Sequence, residues 1–294
     1  MSKQRVAVIV RTKDRPIFLK RALDDLCEQT YKDFICVVYN DAGDADAVVK
    51  VMETLSEEQK KHTKVINNDI SRGMEAASNA AIASVDTEYV AIHDDDDTWH
   101  PEFLERTIHH LEETRAAGVV VHTDKIIEEL VSADIIEKSR SQWMPDIKVI
   151  NLYRQCIDNQ MTPITFIYKR SVYDELGGYD ETLPVLGDWD FGIRFLQKHD
   201  VEYLDPGFAL ANYHHRKYVK GSMANNSFGD GIEKHRYWSN KLMNKYLREE
   251  LATGQLGVGY IMSKLRYDQH EKAELVRRVL PRFISERLKK RVQN

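Results

Sequence analysis

The sequence predicts an α/β fold: a mostly parallel central sheet flanked by helices, followed by a helical C-terminal extension. Three observations carry this expectation. Short apolar, β-branched runs at residues 6–10, 34–39, 64–66 and 89–92 alternate with stretches of helical periodicity. That β-α-β-α-β-α-β order gives parallel strands joined by right-handed crossovers. The runs are continuous rather than alternating, as expected for strands covered on both faces. Each run also stops at a polar cluster: Thr12 to Arg15, Asn40-Asp41, Asn67-Asn68, and Asp94 to Asp97. Ligands of open α/β sheets bind beyond the carboxyl ends of the strands, so the four clusters predict one binding edge.

The elements follow in order. Behind Pro16, the residues Phe18, Leu19, Ala22, Leu23 and Leu26 form an apolar stripe at helical spacing. A polar helix is expected over about 46–61. The next helix, opened by Arg72-Gly73, has a small interior (Ala76, Ala77, Ala80, Ala81, Ala83) that lets it lie close to a sheet. A helix led by Pro101 follows the fourth strand, and 119–121 reads as a further strand. Residues 125–160 mix polarities around Trp143, Met144 and Pro145 and read as an irregular insertion. Strands are expected at 164–168, 201–204 and 208–213. The helix that opens near Asp188 lies between the first two of these, and His214-His215-Arg216 ends the last. A loop bearing Gly221, Ser222, Asn225 and Asn226 spans 217–229, and from 230 onward the pattern is helical.

The four consecutive carboxylates at 94–97 need an explanation. Two carboxylates about 5 Å apart repel by roughly 3 kcal/mol at an effective dielectric of about 20. A hard cation, Mn²⁺ or Mg²⁺, takes oxygen ligands of this kind and would offset the repulsion. The alternative is a solvated turn capping the following helix, since Asp and Thr favour N-caps and Pro the first turn.

Composition narrows the class. The 294 residues suffice for one large domain with an appendage; the expected division is 1–229, itself split near 115/116, and 230–294. No run of 18 apolar residues exists, and the residues before the first strand are too few for a signal-peptide core, which predicts a cytoplasmic protein. Cys27 and Cys36 sit in apolar runs, as small core residues of a reducing compartment do. The net charge of −5 argues against a nucleic-acid partner.

Several motifs together resemble the family 2 inverting glycosyltransferases, which have a GT-A fold. Residues Val8-Ile9-Val10-Arg11-Thr12-Lys13-Asp14-Arg15 are similar to that family's opening strand and Thr-Tyr-Asn-Arg turn. Gln29-Thr30-Tyr31 before the second strand and Val37-Val38-Tyr39-Asn40-Asp41 at its end are also similar to the family, and Arg72-Gly73 with Asn79 resembles its Gly-x-x-x-Ala-Arg-Asn helix. Asp94 to Asp97 with Trp99 and Pro101 look like its Asp-x-Asp signature. Gly178-Tyr179-Asp180 and Gly187-Asp188-Trp189-Asp190 are similar to its acceptor-half segments.

The resemblance, which covers roughly 5–220, implies a nucleotide-sugar-binding half and an acceptor half. Thr12, Arg15 and Asp41 would hold base and ribose, and Arg72 would sit near the diphosphate. Asp94 and Asp95 would touch ribose or metal-bound water. Asp96 would ligate Mn²⁺ or Mg²⁺, with a further contact from His214 or His215. Asp188 would be the catalytic base, and Trp189 and Asp190 would lie on the acceptor side. The implied partners are a nucleotide-sugar, with UDP or dTDP favoured, and a glycan or lipid-linked acceptor of bacterial surface polysaccharide or glycoconjugate synthesis. The departures are Gly187 in place of Glu, Ala42-Gly43 in place of Gly-Ser, and Lys13-Asp14 in place of Tyr-Asn.

Each candidate has a structural alternative. Asp188 could cap its helix, Asp190 could serve as a dipole partner in the first turn, and Trp189 could be core. Arg15 could pair with a nearby carboxylate, and the two histidines could be a surface pair. Residues 277–294 hold seven basic side chains against Glu286 among apolar ones. They read as a helix that packs on the domain or self-associates, or as one that rests on an anionic membrane at its inner face. Two rival functions remain: a sugar-phosphate nucleotidyltransferase, disfavoured because no glycine follows the first strand, and a non-catalytic sugar-binding module, towards which Gly187 leans.

Overall fold

The computed structural model describes residues 4–131, 134–216, 230–266 and 268. The loop at 217–229 and the basic stretch at 277–294 lie outside them. Two compact units are present: residues 1–155 with 159–238, and residues 156–158 with 239–294.

In the larger unit, β1 (Val6–Thr12), α1 (Pro16–Glu28) and β2 (Phe34–Asp41) open the chain. They are followed by α2 (Ala45–Glu53), α3 (Glu57–Lys61), β3 (Thr63–Asn68), α4 (Met74–Ala83) and β4 (Tyr89–Asp94). Next come β5 (Thr98–Trp99), α5 (Phe103–Thr114), β6 (Gly118–Val121), β7 (Thr123–Val131) and β8 (Asp134–Gln142). The short α6 (Leu152–Gln155) precedes β9 (Phe166–Lys169), α7 (Arg170–Leu176), α8 (Gly187–Leu196), β10 (Val201–Leu204) and β11 (Ala211–His215); of α9 (Asp230–Thr253), residues 230–238 belong to this unit and the rest to the smaller one.

The main sheet has the order β10-β6-β9-β4-β1-β2-β3, with β9 antiparallel to both neighbours and the remaining pairs parallel. Alternate residues of β1 face opposite sides, as a strand requires. Val6, Val8 and Val10 join Leu19, Ala22 and Leu23 of α1 and Ile108 of α5, whereas Ala7 and Ile9 join Ala77, Ala81 and Ile82 of α4 and Phe191 of α8. Both faces are thus covered, which explains the continuous apolar runs. Register brings the polar strand ends level. Thr12 lies opposite Asn40, Arg11 opposite Asp94, and Asn40 opposite Asn67.

Four expectations need correction. The helix over 46–61 is broken at 54–56, where Ser56 starts α3 with a capping box to Gln59. Pro101 precedes α5 rather than leading it, because α5 begins at Phe103. A 3-10 turn, Pro163–Thr165, delays β9 to Phe166. Part of the supposed irregular insertion is the antiparallel hairpin β7–β8, which joins β11 and β5 in a second sheet of order β5-β11-β7-β8. Its alternation is hidden because β8 is exposed almost throughout and a bulge interrupts β7 between Ile127 and Glu128.

In the smaller unit the last part of α9 is followed by helical residues 258–266. Glu250 accepts hydrogen bonds from the N–H groups of Gly259 (2.5 Å) and Tyr260 (3.0 Å), two donors that the second helix cannot satisfy itself. No helix among the described residues is long and apolar enough to cross a membrane.

Candidate active site at the carboxyl edge of the sheet

Arginines answer the charge of the acidic cluster. Arg11, beside Asp94 in the sheet, donates to its carboxylate. Arg15 straddles Asp95, with Nη2–Oδ1 at 2.5 Å and Nε–Oδ2 at 3.2 Å, and reaches Asp96 Oδ2 at 3.3 Å. Asp96 also accepts from Arg216, and Asp97 Oδ1 accepts from the His214 N–H at 2.7 Å. Asp95 is fully buried, and burial pushes its carboxyl up to about 7 against the opposing charge of Arg15. Burial acts on Asp96 too, but Arg15 and Arg216 outweigh it and hold that carboxyl below its usual range. Burial, then the charges of Asp96 and Asp94, drive Asp97 well above it.

Behind Asp96 lies a buried network absent from the sequence reading. Glu128 of β7 accepts from Arg216 Nη1 (2.5 Å), Arg21 Nη1 (2.9 Å) and His214 Nδ1 (2.7 Å). Burial works to raise this carboxyl and is outweighed by the His214 hydrogen bond and the Arg21 charge, which bring it down to about 2. The Arg216 guanidinium also stacks 4.2 Å from the centroid of Phe18. His214 Nε2 meets Thr98 Oγ1 at 2.9 Å, so both of its ring nitrogens are engaged and, as placed, neither is turned to a metal. His215 is buried against Trp143 and Tyr213, and burial, then the Lys125 charge, hold it neutral at about 3.

On the opposite side, Leu186 takes a left-handed conformation (φ 70°) that turns the chain into α8. Asp188 is therefore in the first turn of the helix rather than its cap. The half-buried Asp188 accepts from Asn159 Nδ2 at 2.7 Å, and its carboxyl is raised, first by burial and partly by the charge of Asp94, against the pull of Arg11. Trp189 is buried, with Nε1 donating to the Gln155 carbonyl at 2.5 Å. Asp190 does not match its acceptor-side reading. It is fully buried, and Arg194, which pairs with it at 2.7 Å, also donates to the Leu176 and Gly178 carbonyls. The pair ties α8 to the chain after α7.

Of the expected donor-side residues, Thr12 bonds to Asp95. Asp41 accepts from Ser71 Oγ (2.6 Å) and from the N–H groups of Arg72 (2.8 Å) and Gly73 (3.1 Å), which fixes the entry to α4. Arg72 is exposed, 3.6 Å from Glu181. Among the described residues no three His, Cys, Asp or Glu side chains converge as a metal cage.

The sequence reading also passed over Glu75. It is buried on α4, its Oε1 accepts the Gly187 N–H at 2.9 Å, and Arg11 Nη1 stands 4.0 Å from its Oε2. A polar residue among the alanines of α4 was the available signal. Burial pushes Glu75 up to about 7, against Arg11. The folded state therefore keeps a proton that an unfolded Glu, near 4.5, has released. Stability from this group is complete below about pH 4.5 and lost as pH rises through 7, by at most about 3 kcal/mol. Glu75→Gln is expected to show a shallower fall of Tm than the wild type between pH 5 and 7.5. Parallel curves would mean that Glu75 is ionised throughout.

A mostly parallel sheet whose carboxyl edge is lined by arginines and carboxylates has a ligand-binding edge of an open α/β fold, and comparison with known proteins narrows the class. The profile of the glycosyl transferase family 2 matches residues 7–177, so the chain belongs to that family. It is 23% identical over 258 residues to the uncharacterized glycosyltransferase YwdF of Bacillus subtilis, covering 86% of this chain and 88% of YwdF. It is 24% identical over 190 residues to a PGL/p-HBAD biosynthesis glycosyltransferase of Mycobacterium bovis, covering 64% of this chain and 68% of that one. Among solved structures, S. aureus TarS 1-349 in complex with UDP-GlcNAc superimposes with a TM-score of 0.59 at 20% identity, over 79% of this chain and 65% of TarS 1-349. The mannosyltransferase PcManGT of Pyrobaculum calidifontis, in complex with GDP-Man and Mn²⁺, gives 0.54 at 16% identity over 91% and 81%. The fold is GT-A. The chain spans just under two thirds of that TarS fragment and 36% of a longer TarS chain.

Proposed function

We propose that the protein moves a sugar from a nucleotide-sugar donor to an acceptor hydroxyl with inversion at the anomeric carbon. One observation carries the reading. Arg11, at the end of β1, donates to Asp94 on the donor edge and stands 4.0 Å from Glu75, which holds the turn of α8 bearing Asp188. The edge and the candidate base thus meet at one guanidinium. Asp188 takes the acceptor proton as its oxygen attacks the anomeric carbon, and the nucleoside diphosphate leaves from the opposite face. A first helical turn suits a carboxylate in that role.

The donor set fits a hard divalent cation. Mg²⁺ or Mn²⁺ is commonly bound through one or two carboxylates, with substrate phosphates and water completing the shell, so a cage of three side chains is not required. Asp96 is the proposed ligand, with Asp94 beside it; the cation would compete with Arg15 and Arg216 for Asp96. When bound, it neutralises charge on the leaving diphosphate. Thr12, Arg15, Asp41 and Arg72 are the proposed contacts to base, ribose and diphosphate, His215 rather than His214 the further contact, and Trp189 a wall of the acceptor side. Synthesis of a surface polysaccharide or glycoconjugate is the proposed setting, supported by the mycobacterial relative's part in PGL/p-HBAD biosynthesis. Family membership removes the nucleotidyltransferase alternative.

Calorimetry of UDP, dTDP, GDP and CDP, each with Mn²⁺ and with EDTA, tests the reading. One nucleotide is expected to bind in a metal-dependent way. Asp96→Asn, which keeps the shape of the side chain, should weaken it at least about tenfold, a loss of about 1.4 kcal/mol. No nucleotide bound with metal present would remove the donor site.

A further inference from the structure

We propose that Glu75 is a positioning residue of the transfer site: its carboxyl enters from α4 the space that a side chain at 187 would fill and fixes the turn of α8 that carries Asp188. The proposal rests on the reading of Asp188 as the base.

Gly187 and Glu75 are complementary in space. A Cβ built on Gly187 would lie 2.2 Å from Glu75 Cγ, 2.3 Å from Oε1 and 2.5 Å from Cδ. In a close-packed interior the Glu75 side chain, as it is placed, and a side chain at 187 cannot share this space. A carboxyl thus occupies the space beside position 187, delivered by another helix. Its Oε1 accepts the Gly187 N–H, one of the donors that α8 leaves without an intrahelical partner.

Filling space does not account for the choice of residue. The neighbours of Glu75 on α4 are small (Ala76, Ala77, Ala81), and a buried carboxyl oxygen is costly when it is not hydrogen-bonded. Glu75 Oε2 is in that condition, with Arg11 Nη1 4.0 Å away. The same Arg11 donates to Asp94 and to Ser78 Oγ (3.3 Å). Glu75 therefore acts on both halves of the site: through the Gly187 N–H it sets the turn bearing Asp188, and through Arg11 it bears on the acidic edge. An apolar residue of equal volume would do neither.

A thermal and a kinetic measurement test this together. Gly187→Glu alone is expected to lower Tm by roughly 5 °C or more through overpacking, and the same substitution in a Glu75→Ala background is expected to lower it no further. Additive losses would overturn the proposal whatever the protein's donor. Kinetically, Glu75→Ala and the space-filling Glu75→Met should slow release of UDP from UDP-N-acetylglucosamine, or of GDP from GDP-mannose, by about tenfold or more in kcat. Their UDP or GDP affinity should stay within about twofold of wild type. Glu75→Gln, which can still accept the Gly187 N–H, and the double variant Glu75→Ala/Gly187→Glu should recover most of the rate. A folded Glu75→Met with wild-type kcat would reduce Glu75 to filler. Absence of any nucleotide binding in the wild type counts against the transferase reading instead, and the Tm cycle then decides whether positions 75 and 187 are complementary.

Discussion

Asp188→Asn is expected to lower turnover in sugar transfer by about 10²–10⁴-fold while leaving nucleotide affinity within about twofold. The substitution is close to isosteric, and its amide oxygen can keep the hydrogen bond from Asn159 Nδ2, which lies 2.7 Å from Asp188 Oδ2. What it removes is the ability to take a proton. Asp188 suits that task because burial, helped by Asp94, lifts its proton affinity, while Arg11 tempers the rise. The acid limb of the rate profile should therefore fall at a higher pH than for a solvated aspartate. Retained turnover in Asp188→Asn would mean that the base is elsewhere. Asp190, the adjacent carboxylate, is not the replacement, since it is buried on Arg194. Loss of nucleotide binding together with turnover would point to a collapsed α8.

The strands that carry the candidate edge are legible because their chemistry is local. Buried parallel strands must be apolar on both faces, so 6–10, 34–39 and 89–92 stand out in any polar sequence, and each ends at a polar cluster on the carboxyl edge of the sheet. The turn signals at Asn40-Asp41 and Asp94 to Asp97 mark the same edge. The second sheet was hidden because its signals are weak or non-local. β5 has only two residues, β8 has hardly a buried side chain, and β7 carries a bulge that breaks its alternation. The site was half legible for a related reason. Asp96 and Asp188 sit in recognisable local motifs, but their partners come from distant segments: Arg216 is 120 residues from Asp96, and Gly187 is 112 from Glu75. A signal did exist. Four adjacent carboxylates demand compensating charge, and Arg11, Arg15 and Arg21 lie on the first strand, its turn and its helix. Of these, Arg15 stands out as a carboxylate partner in the sequence, and Arg11 and Arg21 take the same role only in three dimensions. The same reasoning bears on Gly187. Its missing side chain looked like a lost function in one dimension and is filled by Glu75 in three.

Glu128→Ala is expected to be strongly destabilising to the larger unit. Glu128 is 4% exposed and is the shared acceptor for Arg216, Arg21 and His214, and Arg216 is itself only 1% exposed. Removing one partner of a buried ion pair leaves the other charged and unsolvated, which costs about 3–5 kcal/mol. For a unit of this size that is a fall in Tm of roughly 8–15 °C. The network also sets a direction in pH. The Glu128 carboxyl is held at about 2 when folded and returns to an ordinary glutamate value, near 4.5, when unfolded. Its contribution is therefore present above about pH 4.5 and is lost as pH falls towards 2, because the unfolded state binds the proton first. Glu128→Gln separates charge from hydrogen bonding. At pH 7 it should melt between the wild type and Glu128→Ala, and its deficit against the wild type should narrow as the pH is lowered from 4.5. A Glu128→Ala variant melting within about 2 °C of wild type would mean that Arg216 and Arg21 find other acceptors. Asp96 is already in contact with both, through its carboxylate with Arg216 and its carbonyl with Arg21. In that case the arginines would close over the proposed cation ligand, and nucleotide binding with Mn²⁺ should weaken in the same variant even though its stability is intact.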